Sequence, residues 1–171
     1  MEHDSHLDMA AVEARHWWFA GRRRVLTTTI KRLQLKPGVR FVELGSGAGG
    51  NLAMLAQFGQ VMAVEMSGAA REISAARATG AEILPGMLPG DLPLGGLTYD
   101  LVCLFDVLEH VAEDEAALAV VRGLIAPTAW PSSRCRPMPL CLGRTMSPCI
   151  ISAATSAARC TTNCAAPDCR S

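Results

Sequence analysis

A glycine-spaced turn, GSGAGGN at Gly45 to Asn51, narrows the possible folds of this chain more than any other feature. It is entered from Arg40 to Leu44 (RFVEL), a run with the length and composition of a buried strand. It is left through Leu52, Leu55 and Ala56, which read as a helical stretch, and a second apolar run follows at Val61 to Glu65 (VMAVE). Strand, glycine turn, helix and strand together form one unit of a parallel sheet covered by helices.

The alternation continues. A helix through Ala69 to Thr79 leads to a short strand at Glu82 to Leu84, and Tyr99 to Phe105 (YDLVCLF) makes a fourth strand. The helix after it carries Ala116, Leu118, Val121 and Leu124 on one face and ends near Ala126 and Pro127. Ahead of the unit, residues 9 to 34 predict one helix, free of proline and apolar at Val12, Trp18, Val25, Leu26, Ile30 and Leu33, with Lys36, Pro37 and Gly38 as its stop. The expected fold class is α/β: a Rossmann-like, doubly wound, mainly parallel sheet, incomplete after the fourth strand, with an N-terminal helix.

The glycines at 45, 47 and 49 suit a tight strand-to-helix turn, because positive φ is cheap there and no Cβ keeps a ligand from the backbone. Glycine runs also make ordinary loops. Glu65 adds weight: it ends the second strand about 20 residues after the turn, where a carboxylate can accept hydrogen bonds from both hydroxyls of a ribose. The combination points to a ribose-bearing cofactor.

Taken in order, VELGSGAGGN with Glu43 before the glycines, AVEMS, and YDLVCLFDVLEHV resemble a class I S-adenosylmethionine-dependent methyltransferase over about residues 12 to 127. The opening HWWFAGRRRVL resembles the N-terminal helix of one bacterial, type 11-like branch, whose acceptors are small-molecule, lipid or glycan-like. The resemblance implies S-adenosyl-L-methionine as cofactor. It places Gly45, Ser46 and Gly47 along the methionine part, with Gly49 and Asn51 completing the loop and Glu43 supporting it. Glu65 would hold the ribose hydroxyls, Met66 would lie against the adenine, and Phe105 and Asp106 would line the pocket near the sulfonium. Where the family often has an acidic residue for the adenine amino group, this chain has Gly86, Met87, Leu88 and Pro89, so Met87 stands there without a polar contact.

The acceptor side is less defined. His16, Trp17, Trp18 and Phe19 read either as a lid or as the apolar stripe of a packed helix, and three adjacent rings cannot all face inward. At least one is expected to be exposed or turned to a ligand. Arg22, Arg23 and Arg24 read as a solvated face. Glu109 and His110 read as a turn before the next helix; His110 is kept as a substrate-side candidate with His16, Trp17 and Trp18. No residue is assigned as catalytic, since methyl transfer from a sulfonium chiefly needs an aligned, desolvated nucleophile. A dinucleotide-binding oxidoreductase obeys the same turn physics, but Glu43 before the glycines and the DVLEHV segment weigh against it. A non-catalytic cofactor-binding remnant is a further alternative.

The net charge of zero over 171 residues hides a break after Pro127. Residues 1 to 127 carry 11 basic and 15 acidic side chains, net −4, with all the Phe, Tyr and Lys; residues 128 to 171 carry five Arg and one Asp, net +4, with six of the seven cysteines. The expected organisation is a cofactor-binding domain at 1–127 and an irregular tail at 128–171. The cysteines at 160, 164 and 169 lack the paired spacing and histidines of a zinc site, so no metal is expected. No basic footprint for nucleic acid, no apolar stretch of membrane-spanning length and no leader-like opening are found, and the expected location is cytoplasmic. The family resemblance implies a fifth strand ending in Val-Pro after LIAP. Reading the gene one base earlier turns Ala129 to Pro139 into GLAVVTVPAYA, with suitable wobble bases, and Arg144 to Thr155 into AHDEPMHHQRRY, which resembles the same branch. The tail is therefore expected to be out of frame from about residues 126 to 129, leaving strand four without its neighbour.

Overall fold

The computed structural model describes residues 2–126 and 148–152, with side chains described for residues 6–126. Two helices open it, α1 (Glu2–Arg15) and α2 (Trp17–Arg32). The single helix expected over 9–34 is thus corrected to two, because His16 takes an extended conformation (φ −74°, ψ 129°) and caps α2, its Nδ1 accepting the Trp18 N–H at 3.3 Å. A side chain that caps one helix leaves the helical path of the other.

The sheet follows: β1 (Arg40–Leu44), α3 (Leu52–Leu55), β2 (Gln60–Glu65), α4 (Gly68–Ala76), β3 (Glu82–Pro85), β4 (Leu101–Phe105), a 3₁₀ turn at Leu108–His110, α5 (Asp114–Gly123) and β5 (Pro148–Ser152). Strand order is β3-β2-β1-β4-β5, with the first four strands parallel and β5 antiparallel to β4. The bare β4 edge expected from the sequence is corrected by β5, whose Pro148 pairs with Phe105 and whose Ser152 pairs with Leu101. The frame boundary and the cysteines at 160, 164 and 169 lie outside the described residues.

Successive residues of β1 and β4 point to opposite faces, and both faces are covered. Leu26 and Ile30 of α2 pack on one face with Phe41, Leu101, Cys103 and Phe105. Ala117 and Val121 of α5 pack on the other with Val42, Leu44, Val102 and Leu104. Two consequences position the site. Glu43 has the parity of Phe41 and is enclosed, at 1% exposure, between Ala63 and Cys103 in register. Arg22 lies four residues before Leu26 and eight before Ile30, so it shares their face and reaches the carboxyl ends of β1 and β4.

Candidate cofactor site

The glycine loop stays tied to β2 as it leaves β1, with the Gly45 and Ser46 N–H groups both donating to the Val64 carbonyl at 2.8 and 3.2 Å. Gly45 has φ +73°, and a Cβ there would stand 2.6 Å from Val107 Cγ2. Gly49 has φ +77°, and its Cβ would collide with Ser74 Oγ of α4. One glycine opens the backbone toward the segment after β4; the other lets α4 approach the loop.

Glu65 closes the unit at 7% exposure. Its Oε2 accepts the Gly47 N–H at 2.8 Å and its Oε1 the Ser67 N–H at 2.8 Å. Since a carboxylate offers about four acceptor positions, two remain for other donors. Arg71 donates to the carbonyls of Glu65 and Met66 at 2.8 and 2.7 Å and holds the end of β2 from α4. Glu43 accepts from Asn51 Nδ2 through Oε1 at 3.0 Å, and its Oε2 has no hydrogen-bond partner. Burial pushes its carboxyl up to about 8; the Asn51 bond and the Arg22 charge pull the other way.

At the carboxyl ends of the strands lies a mostly apolar cavity of about 430 Å³. Gly45, Met66, Met87, Asp106 and His110, all singled out from the sequence, line it. Leu88 and Pro89, of the stretch read as the adenine region, also line it, as do Val107 and Val111 of the DVLEHV segment; Leu92 was not singled out, because it comes from the loop after β3, where no periodic signal marks it. Glu43, Ser46, Gly47, Gly49, Asn51, Glu65 and Phe105 are not among the lining residues.

The aromatic run separates. Trp17 is 76% exposed and stacks on His16, with centroids 5.7 Å apart and planes at 28°, so both turn from the cavity lining. Trp18 reaches the site indirectly: Arg22 lies over its ring at 5.4 Å and over Phe105 at 5.7 Å. The expectation of a solvated arginine face is corrected for Arg22, whose side chain is only 12% exposed and pairs with Asp106 Oδ2 at 2.5 Å. Asp106 itself has φ +57°, an unusual conformation for a residue with a side chain. Arg23 donates to the Glu13 carbonyl at 3.2 Å, while Arg24 is exposed. The α2 periodicity in Leu26 and Ile30 was the signal that could have found Arg22.

An open parallel sheet whose ligand crevice lies where neighbouring crossovers diverge, between β1 and β4, defines a Rossmann-like cofactor-binding protein. The profile of the family described as "Methyltransferase domain" matches residues 42–130, and the chain belongs to that family, the class I S-adenosyl-L-methionine-dependent methyltransferases. Their methyl-donor cofactor is S-adenosyl-L-methionine. Among solved structures it is similar to CalS10, an amino pentose methyltransferase of Micromonospora echinaspora solved with S-adenosylmethionine bound (25% identity, TM-score 0.58, covering 72% of this chain and 53% of that one). Two further similar folds are Streptomyces venezuelae DesVI (17%, TM-score 0.59, 74% and 54%) and magnesium protoporphyrin IX methyltransferase of Synechocystis with bound S-adenosylhomocysteine (18%, TM-score 0.53, 62% and 52%). The chain spans about half the length of these relatives. No match is found among curated proteins. No described helix is long and apolar enough to cross a membrane.

Proposed function

We propose that this chain binds S-adenosyl-L-methionine across the carboxyl ends of β1, β2 and β4 and transfers its methyl group to a small-molecule, lipid or glycan-like acceptor. The carrying observation is Glu65, a buried strand-end carboxylate that braces the glycine loop through Gly47 and still has acceptor positions for two hydroxyls. The residues fit the cofactor in two further respects. Gly45 lines the cavity without a side chain, and Met66, Met87, Leu88 and Leu92 make an apolar wall suited to a flat base. Phe105, by contrast, would act from beneath the wall, and Asn51 by holding Glu43 rather than by touching a ligand.

When bound, the cofactor supplies an electrophilic methyl on a sulfonium, whose sulfur keeps the bonding electron pair on transfer. The chain's contribution is positioning: Glu65 and the loop orient the donor, the apolar wall excludes water, and Asp106, its charge balanced by Arg22, lines the cavity at the end of β4. His110 stands exposed at the cavity rim, on the side we assign to the acceptor.

Calorimetric titration of the purified chain with S-adenosyl-L-methionine and with NAD tests the reading. Binding of the first alone supports it; binding of NAD alone supports the oxidoreductase alternative and overturns it. Cofactor binding without label transfer to any acceptor pool would favour a non-catalytic remnant. We further propose that residues beyond about 126–129 are read out of frame, on the strength of the charge and cysteine break after Pro127. Resequencing the gene is the test: an intact frame, or wobble bases that do not encode the two motifs, overturns it.

A further inference from the structure

Charge within the first 127 residues is sharply polarised. Eight of their 11 basic residues fall between Ala14 and Val42, a stretch with no acidic residue, while the remainder holds 15 acids and three bases, net −12. Helix α2 runs through that stretch with five cations and no acid. Its two faces divide them. Arg22 turns inward to Asp106 and Arg23 to the Glu13 carbonyl. Trp17, Ala20, Arg24, Thr28 and Lys31, spaced by three or four residues, lie exposed along the opposite face, with Val25 and Arg32 exposed beside them. Among the described residues no ion pair engages Arg24, Lys31 or Arg32. Trp17, at the start of the face, is 76% exposed, and Val25 is 45% exposed.

We propose that the outer face of α2 docks the protein on an anionic lipid surface, with the helix lying along the membrane. Two independent contributions meet there. Unpaired cations attract anionic headgroups, and an amphipathic indole ring settles at headgroup level, where Val25 and Ala20 also find apolar contact. The face has its own place on the molecule, since none of these residues lines the cofactor cavity. Leu26 and Ile30 on the inner side anchor α2 to the sheet, so docking requires no change of fold. Other occupants match the face less well. Residues 128–171 carry five Arg and one Asp, the same sign as the face itself. A nucleic-acid backbone would meet the cations with phosphate but leave Val25 and Ala20 without apolar partners.

The experiment is co-sedimentation of the full chain with vesicles of phosphatidylcholine alone and of equal parts phosphatidylcholine and phosphatidylglycerol. Binding is expected to the anionic vesicles only, and to weaken with added salt. Replacing Arg24, Lys31 and Arg32 together by Gln should lower the partition coefficient by about 100-fold, about 5-fold for each cation, while Arg24→Lys with Arg32→Lys should keep it. Tryptophan emission should shift to the blue on the anionic vesicles, and Trp17→Phe should remove that shift. All four positions are exposed, and matching melting curves by circular dichroism show that the variants are folded. Equal affinity for neutral vesicles, no binding to either kind, or unchanged binding by the Gln variant would overturn the proposal. So would tighter binding to single-stranded RNA than to vesicles, or a dimer that the Gln variant loses, with the acidic remainder of a second copy taking the face.

Discussion

The glycine loop and helix α2 meet at the same crevice but hold their positions by different means. The loop is fixed through its own main chain: two N–H groups on the Val64 carbonyl, one on the Glu65 carboxylate, and glycines at positive φ that admit Val107 and Ser74. Helix α2 is fixed by side chains, with Leu26 and Ile30 in the core and one ion pair, Arg22 to Asp106, at its site end. Helix α1 is held by polar contacts too: the Glu13–Arg77 pair at 3.5 Å, the bonds from Arg77 to the Ala10 carbonyl at 3.3 Å and from Arg23 to the Glu13 carbonyl at 3.2 Å, and His6 Nε2 against Ser67 Oγ at 3.1 Å. Where main chain does the holding, substitutions strain or unmake the site; where polar side chains do it, they retune the site and leave the fold.

That contrast can be broken in four places. Glu65→Ala removes the brace and the hydroxyl acceptors together, and should weaken S-adenosylhomocysteine by about 100-fold in calorimetry; a loss below about 5-fold would show that the loop needs no side chain. Gly49→Ala puts a Cβ against Ser74 at positive φ, and should cost about 2 kcal/mol in urea unfolding while the cavity walls stay intact.

Glu43→Gln reads the buried carboxyl. With its folded pKa raised from 4.5 to about 8, the folded chain keeps a proton that the unfolded chain releases, so stability falls as pH rises from about 4.5 through 8. The variant lacks this loss, and its melting temperature should gain on the parent between pH 5 and pH 8.5; parallel curves would contradict the burial. Smallest is Arg77→Ala, which frees α1 from a half-buried pair and should cost under about 1 kcal/mol, with cofactor affinity changed by less than about 2-fold. A larger loss of affinity would mean that α1 helps hold the loop through Glu13, whose carboxylate lies where a Cβ on Gly50 would stand.

The strands at 40–44, 60–65 and 82–85 were legible almost to the residue, because short apolar runs between glycine and proline leave little choice of structure. The fourth was read two residues long: Tyr99 instead makes an isolated bridge to Ile125, its N–H donating to the Leu124 carbonyl at 2.7 Å. The break at His16 was hidden, since a histidine cap looks like any polar helical position until its Nδ1 finds an N–H. Among site residues, those with conformational demands, Gly45 and Gly49, and the strand-end acid Glu65 stood out. Arg22 did not: its place one and two turns before Leu26 and Ile30 marks its face of α2, but the partner that encloses it, Asp106, comes from a distant segment.

Sequence alone determined the α/β alternation, the glycine turn after the first strand and the acid at the end of the second, all of which follow from local geometry and periodicity. Tertiary structure decided which charges are enclosed. Glu43 is buried because strand parity puts it beneath α2, Arg22 because helical spacing carries it over the ends of β1 and β4, and Asp106 becomes its partner only where those two elements meet. Burial and pairing of charge depend on distances between segments far apart in the chain, which no local pattern encodes.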